Sequence, residues 1–227
     1  MAQKSKVLVP TFAVGRAQLL TALLAWIFRN RRVEPFPVFL DSPMAIEASH
    51  IYERHPELFD EEMVAFLKER PIAKDLATMK LTATPAESRQ INGCPGPCLI
   101  MAGAGMCNAG RILHHLRHNL WNPEAQVVIA GYQGNGTLGR LLVDGAKQVS
   151  IFGEPIAVRA RIHTLGGFSA HAGQTDLAAW FAPLAASRPR ILLTHGENPQ
   201  RAALAKLLTA AHGLTPLLPA LGDTVEL

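Results

Sequence analysis

Short apolar runs recur along the first part of the chain, each followed by a glycine-bearing loop and then a segment with helical spacing. VLVP (7–10) leads through TFAVGR into AQLLTALLAWIF, where Leu19, Leu20, Leu23, Leu24 and Ile27 return at the three- and four-residue intervals of one helix face. FPVFL (36–40) leads into DSPMAIEASHIYERH, where Asp41 or Ser42 can cap a helix that takes Pro43 in its first turn. CLIM (98–101) is followed by AGAGMCNAGR and ILHHLRHNL, and VVIA (127–130) by GYQGNGTLGR and LLVDGA. Apolar strands alternating with helices predict an α/β fold with a largely parallel, buried sheet. The polar stretch from Phe59 to Asn92, with Pro71 and Pro85, predicts one helix at 61–69 and then looser structure. After Gly145 the pattern changes: VSIFG, IAVRARIHTL and RILLTH read as strands of alternating exposure, with helices at about 174–186 and 199–212. A module boundary is expected near residue 148, dividing the chain into 1–148 and 149–227.

At 227 residues the chain suits two modules, and its 48% hydrophobic content is ample for a core. Lys and Arg exceed Asp and Glu by 22 to 18, a mild pull toward polyanions that permits nucleic acid without requiring it. Three cysteines, an odd number, argue against a disulfide framework and make the cytoplasm the expected compartment. Cys94-Pro-Gly-Pro-Cys98 has the look of half a zinc knuckle, but with no second pair it reads more simply as a turn into the CLIM strand. No apolar run reaches the roughly 18 residues of a membrane span, and MAQKSK has no apolar signal core, so no membrane association is expected.

Three times a strand runs into a glycine-containing loop that ends in Gly-Arg at a helix start, at Arg16, Arg111 and Arg140. Free N–H groups and partial positive charge at a helix N-terminus, with the planar donor fork of arginine, make each junction a candidate seat for phosphate. The plainer alternative is that the glycines only make tight turns and the arginines solvate helix starts. In a parallel sheet such loops gather at the carboxyl edge and can line one cleft. None matches the phosphate loop of nucleoside triphosphatases, GYQGNG lacks the dinucleotide-binding spacing, and there is no G-x-S-x-G nucleophile elbow.

Of nine histidines, His171 in GGFSAHAG and His195 in RILLTHGEN leave strand ends among small residues, where ligands are commonly held. His114, His115, His118, His50, His55 and His212 read as surface or boundary residues of helices, and His163 lies within a strand. No HxH or HExxH pair accompanies His171 and His195, so they form an incomplete metal or hydrolytic site.

VLVPTFAVGRAQ, VFLDSPMAIEASHIYERHPELF, GMCNAGRILHHL, GYQGNGTLGR, GGFSAHAGQTDL and LLTHGENP, in this order, resemble the back half of the β-CASP group of metallo-β-lactamase-fold RNA-processing nucleases, from about Lys6 to Ala211. The resemblance implies a β-CASP domain followed by the closing β/α segment of a lactamase lobe, which carries RNA specificity. It also implies a two-zinc hydrolase whose HxHxDH ligands lie in a preceding half; that motif is absent here, so the chain alone is expected to be inactive or nearly so and to hold zinc weakly. Residue by residue, His171 takes the position of a catalytic histidine acting on phosphate and His195 that of a zinc ligand. Arg16, Asp41, Ser42, Gly105, Arg111, Gly136, Thr137, Arg140 and Ser169 are the expected contacts to the backbone of a single-stranded RNA. AGAGMCNAG stands where relatives carry a serine-rich loop, and Gly173 where many have aspartate. The implied partners are RNA and either a lactamase half or a second copy, since the C-terminal segment is expected to expose apolar surface. The competing reading is a non-catalytic nucleic-acid-binding or interaction module.

Overall fold

The computed structural model describes residues 5–169 and 171–226. The chain folds as two compact units, Met1–Ser169 and Ala170–Leu227. The change of pattern near residue 148 therefore falls inside the first unit, whose packing carries the strands that follow it.

In the first unit the apolar runs form β1 (Lys6–Pro10), β2 (Val38–Asp41), β4 (Cys98–Ala102) and β5 (Gln126–Ile129). With β3 (Met79–Leu81) and β8 (Arg161–Thr164) they make, among the described residues, a six-stranded sheet in the order β3-β2-β4-β1-β5-β8. Every pairing in it is parallel. β6 (Gln148–Ile151) and β7 (Glu154–Ala157) form a separate antiparallel hairpin.

The helices are α1 (Arg16–Arg29), α2 (Pro43–Arg54), α3 (Glu61–Glu69), α4 (Ile72–Asp75), α5 (Pro85–Gln90), α6 (Arg111–Asn119) and α7 (Leu138–Val143). Two apolar cores cover the sheet. One packs Leu8, Ile100 and Val127 with Ile112 and Leu116 of α6; the other packs Val9, Leu40 and Met101 with Leu20 and Phe28 of α1. Alternate residues of β1 and β4 thus go to opposite cores, which is why these strands read as unbroken apolar runs. Each fully buried aliphatic side chain contributes about 1.5–3 kcal/mol relative to exposure.

The segment after 69 is more ordered than its composition predicts. β3 pairs with β2, and α5 is closed by a capping box in which Thr84 Oγ1 accepts from Glu87 N and the Glu87 carboxylate accepts from Thr84 N. A three-residue edge strand with one face in solvent carries too little periodicity to be seen in sequence.

The second unit holds α8 (Gln174–Phe181) and α9 (Asn198–His212), packed around Phe181, Leu208 and Leu214. Gly213, at φ 64, ends α9 in the left-handed conformation that glycine tolerates best. RILLTH, expected as a strand, is reduced to one parallel bridge between Leu192 and Leu217, with Leu193 N donating to Leu217 O at 2.9 Å and Leu217 N to Ile191 O at 2.8 Å. Apolar character alone did not make it a strand, because a strand needs a neighbour along its length. Among the described residues no helix is long and apolar enough to cross a membrane.

Candidate functional site

The carboxyl edge of the sheet is built from the loops that follow β1, β4 and β5, and these loops are locked into one another. Gly105 lies under the Phe12 ring, so closely that a Cβ there would come within 2.7 Å of it. Gln133 Nε2 donates to Gly105 O at 3.0 Å, and its side chain would meet a Cβ on Gly139 at 1.7 Å. At the start of α7, Leu138 N donates to Asn108 Oδ1 (3.1 Å), Gly139 N to Met106 O (3.1 Å) and Arg140 N to Thr137 Oγ1 (3.1 Å). At the start of α6, Ile112 N donates to Gly103 O at 3.0 Å and Leu113 N to Gly110 O at 3.3 Å. The helix-end donors that sequence reasoning offered to phosphate are thus largely satisfied by neighbouring loops.

Gly110, at φ +77, has Gly103 O only 2.4 Å from where a Cβ would stand. Left-handed backbone and a clash with main chain act together there, so Gly110→Ala should destabilise the first unit by about 2 kcal/mol or more. A shift of the denaturant midpoint below about 0.5 kcal/mol equivalent would contradict this packing.

Beside these loops, at the end of β2, Asp41 is completely buried. Its Oδ2 receives Ser88 Oγ at 2.6 Å and His115 Nε2 at 2.7 Å; its Oδ1 receives Thr82 Oγ1 at 2.8 Å and Arg111 Nη1 at 2.7 Å. Arg111 also donates to Thr82 O (2.8 Å) and Ala83 O (2.7 Å). Burial alone would push the Asp41 carboxyl up, but hydrogen bonds from His115, Ser88, Thr82 and Arg111 outweigh it and hold the group down at about 2. A carboxylate can only accept, so His115 carries its ring hydrogen on Nε2.

In the structure the charged groups of Asp41 and Arg111 bond each other, and Arg111 also bonds the segment between β3 and α5. His115 is not a surface residue: it is 1% exposed. The signal was present in the sequence, since Ile112, His115, Leu116 and Asn119 share one helix face and all are buried.

The other expected RNA contacts are varied. Ser42 caps α2 by accepting from Ala45 N at 3.3 Å, and Thr137 is buried with its hydroxyl donating to Gly134 O at 2.7 Å. Gly136, at φ +79, has open space around it. Arg140 Nε bonds both oxygens of Asp144 at 2.9 and 2.8 Å. Arg16 lies with Cζ 5.9 Å from the Phe168 ring centroid, and its Nη1 is buried with no hydrogen-bond partner among the described residues. Ser169 is exposed at the end of the first unit, and His163 is exposed on β8.

In the second unit His171 and His195 come together: both are exposed, and their rings lie 6.4 Å apart between centroids, 29° from parallel. His195 sits at φ 55, a left-handed conformation uncommon for a non-glycine residue. Its turn is braced from α9 by Arg201, which donates to Leu193 O (3.2 Å) and Pro219 O (2.7 Å) and bonds Asn198 Oδ1. After His171, Gly173 N donates to Asp176 Oδ2 at 3.0 Å and closes the start of α8. No group of three or more His, Cys, Asp or Glu able to hold a metal occurs among the described residues. Given Zn–N bonds near 2.0–2.1 Å, a tetrahedral ion shared by both rings would bring the centroids to about 5 Å. The wider separation suits one imidazole on a metal and the other on the ligand beside it. The Cys94–Cys98 pair offers no such site: Cys98 is buried in the core, and burial pushes its thiol up to about 12.

The chain thus presents a parallel α/β unit with a side-chain-rich carboxyl edge and a small unit that pairs two exposed histidines. Comparison with known proteins gives the family. Residues 17–142 match the Beta-Casp domain, and residues 155–219 match the Zn-dependent metallo-hydrolase RNA specificity domain. The chain is 40% identical over 225 residues to Ribonuclease TTHA0252 of Thermus thermophilus, covering 99% of this chain and 51% of that protein. It is 29% identical over 235 residues to Transcription termination factor FttA of Cenarchaeum symbiosum (100% of this chain, 36% of that protein), and 30% identical over 236 residues to FttA of Thermococcus kodakarensis (98% and 35%). It therefore spans about half the length of the first relative and about a third of the others. The chain belongs to the β-CASP family of metallo-β-lactamase-fold proteins and corresponds to its C-terminal part.

Proposed function

We propose that this chain is the RNA-binding and site-completing part of a zinc-dependent RNA phosphodiester hydrolase. The observation that carries the reading is the His171–His195 pair, set face to face in the stretch that matches a zinc-dependent RNA specificity domain. His195 supplies one zinc donor, its turn held in place by Arg201, while His171 donates a hydrogen bond to a phosphoryl oxygen or protonates the leaving oxygen. Bound zinc supplies an activated hydroxide and charge stabilisation in such reactions. On this reading the remaining ligands come from a lactamase half, so the isolated chain holds zinc weakly and is inactive or nearly so.

The second unit supports a need for a covering partner. Leu177 and Trp180 of α8 are 39% and 70% exposed, and Leu184 just beyond it is 45% exposed, apolar surface that a lactamase half or a second copy would bury.

The test is reconstitution. The chain alone should lose its zinc on dialysis and leave single-stranded RNA intact. Mixed with the first half of the Thermus ribonuclease, it should retain zinc and cleave RNA, and His195→Ala should reduce both. Robust metal-dependent cleavage by the purified chain alone would overturn the incompleteness of its site. Salt-sensitive RNA binding with no hydrolysis on reconstitution would favour a non-catalytic nucleic-acid-binding module.

A further inference from the structure

The helix-start amides at the carboxyl edge are largely engaged by neighbouring groups, which turns attention to the side chains displayed there. Two of these are large, aromatic and exposed: Phe12 is 46% exposed and Tyr132 is 47% exposed. Each stands beside a buried neighbour in sequence, Thr11 at 1% and Gln133 at 5%, so the backbone is anchored while the ring is displayed. The two loops that carry these residues meet at Gly105. Phe12 lies on Gly105, and Gln133, adjacent to Tyr132, donates to Gly105 O at 3.0 Å.

The sheet explains the juxtaposition. β1 and β5 are parallel neighbours with Leu8 opposite Val127, and Phe12 and Tyr132 follow their carboxyl ends. β8 is the next strand, with Thr164 opposite Ile129, and beyond its end Phe168 packs against the core with the Arg16 guanidinium 5.9 Å from its centroid. Strands lie about 4.7–4.9 Å apart, so the ends of β1, β5 and β8 set out, along one edge, two displayed rings and an arginine held on a third. Arg16 is the arginine of the three Gly-Arg junctions that is neither tied to a carboxylate, as Arg111 and Arg140 are, nor fully hydrogen-bonded among the described residues.

Resting on the RNA reading above, we propose that Phe12 and Tyr132 are stacking platforms for unpaired bases of the RNA, and that Arg16, held against Phe168, takes the adjoining phosphate. Aromatic faces accept any base, and an arginine beside them neutralises the backbone, which is how single strands are held without sequence readout. Duplex RNA, whose bases already stack on each other, gains nothing from the rings.

The experiment measures fluorescence anisotropy of the whole chain with a labelled single-stranded RNA, an abasic strand of the same length and charge, and a duplex. Base-bearing single strands should bind at least about tenfold more tightly than the abasic strand or the duplex. Tyr132→Leu, which keeps an apolar group at an exposed position, should remove most of that advantage and leave abasic binding unchanged, and Phe12→Leu should do the same if circular dichroism shows it folded. Arg16→Gln should weaken all three ligands. Equal binding of base-bearing and abasic strands by the unaltered chain, both sensitive to salt, would overturn the stacking proposal while leaving the RNA reading intact. No binding of any of them would overturn both.

Discussion

Asp41→Ala should destabilise the first unit by about 3–5 kcal/mol, the usual cost of removing one member of a buried, hydrogen-bonded charge pair. The reason is the number of donors left behind: Arg111, His115, Ser88 and Thr82 all point at that carboxylate. Asp41→Asn should lose less, because its amide oxygen still accepts, although its NH2 group then faces donors. Hydrogen exchange separates the effect from global loss, since amides of the first unit should open while those of α8 and α9 keep their protection.

The same group sets an acid limit. Its folded pKa of about 2 lies below the ordinary 3.8, so its stabilisation is complete above the ordinary value and is lost as pH falls through about 2. The pH-dependent part amounts to about 2 kcal/mol, and the Asp41→Ala chain should lack that part of the acid slope. A loss below about 1 kcal/mol would show that the buried carboxylate is not what ties β2 to the β3–α5 segment and to α6.

The second large effect belongs to His171. In the reconstituted enzyme, His171→Ala should lower the rate of the chemical step by about 10²–10⁴-fold, the range expected for loss of a general acid or of a hydrogen bond to the reacting phosphoryl group. Zinc content should stay at the unaltered level, and RNA affinity should change little. His195→Ala should lower zinc content as well as rate. Single-turnover cleavage with metal analysis on the same sample checks both, and loss of zinc from the His171 variant would reassign that imidazole as a ligand.

The sheet was legible because its central strands are buried on both faces and so write themselves as apolar runs, as VLVP and CLIM do. The short edge strand β3 does not, and RILLTH carries the same apolar signature without the neighbour that would make it a strand. The two histidines were legible because each leaves an apolar run among small residues. How the arginines are engaged was not: Arg16, Arg111 and Arg140 follow the same Gly-Arg pattern, and only the structure shows Arg111 bonded to Asp41, Arg140 to Asp144 and Arg16 beside Phe168. Asp41 was read as a strand-end group for ligand, but its four donors are Thr82, just after β3, Ser88 of α5, and Arg111 and His115 of α6, up to 74 residues away.

The interlocked glycine loops also bear on the speed of association. A surface whose helix-start amides are already engaged and whose turns are wedged by Phe12 and Gln133 has little freedom left to surrender when a ligand lands. Encounter there should be governed by diffusion and charge rather than by waiting for a loop to close.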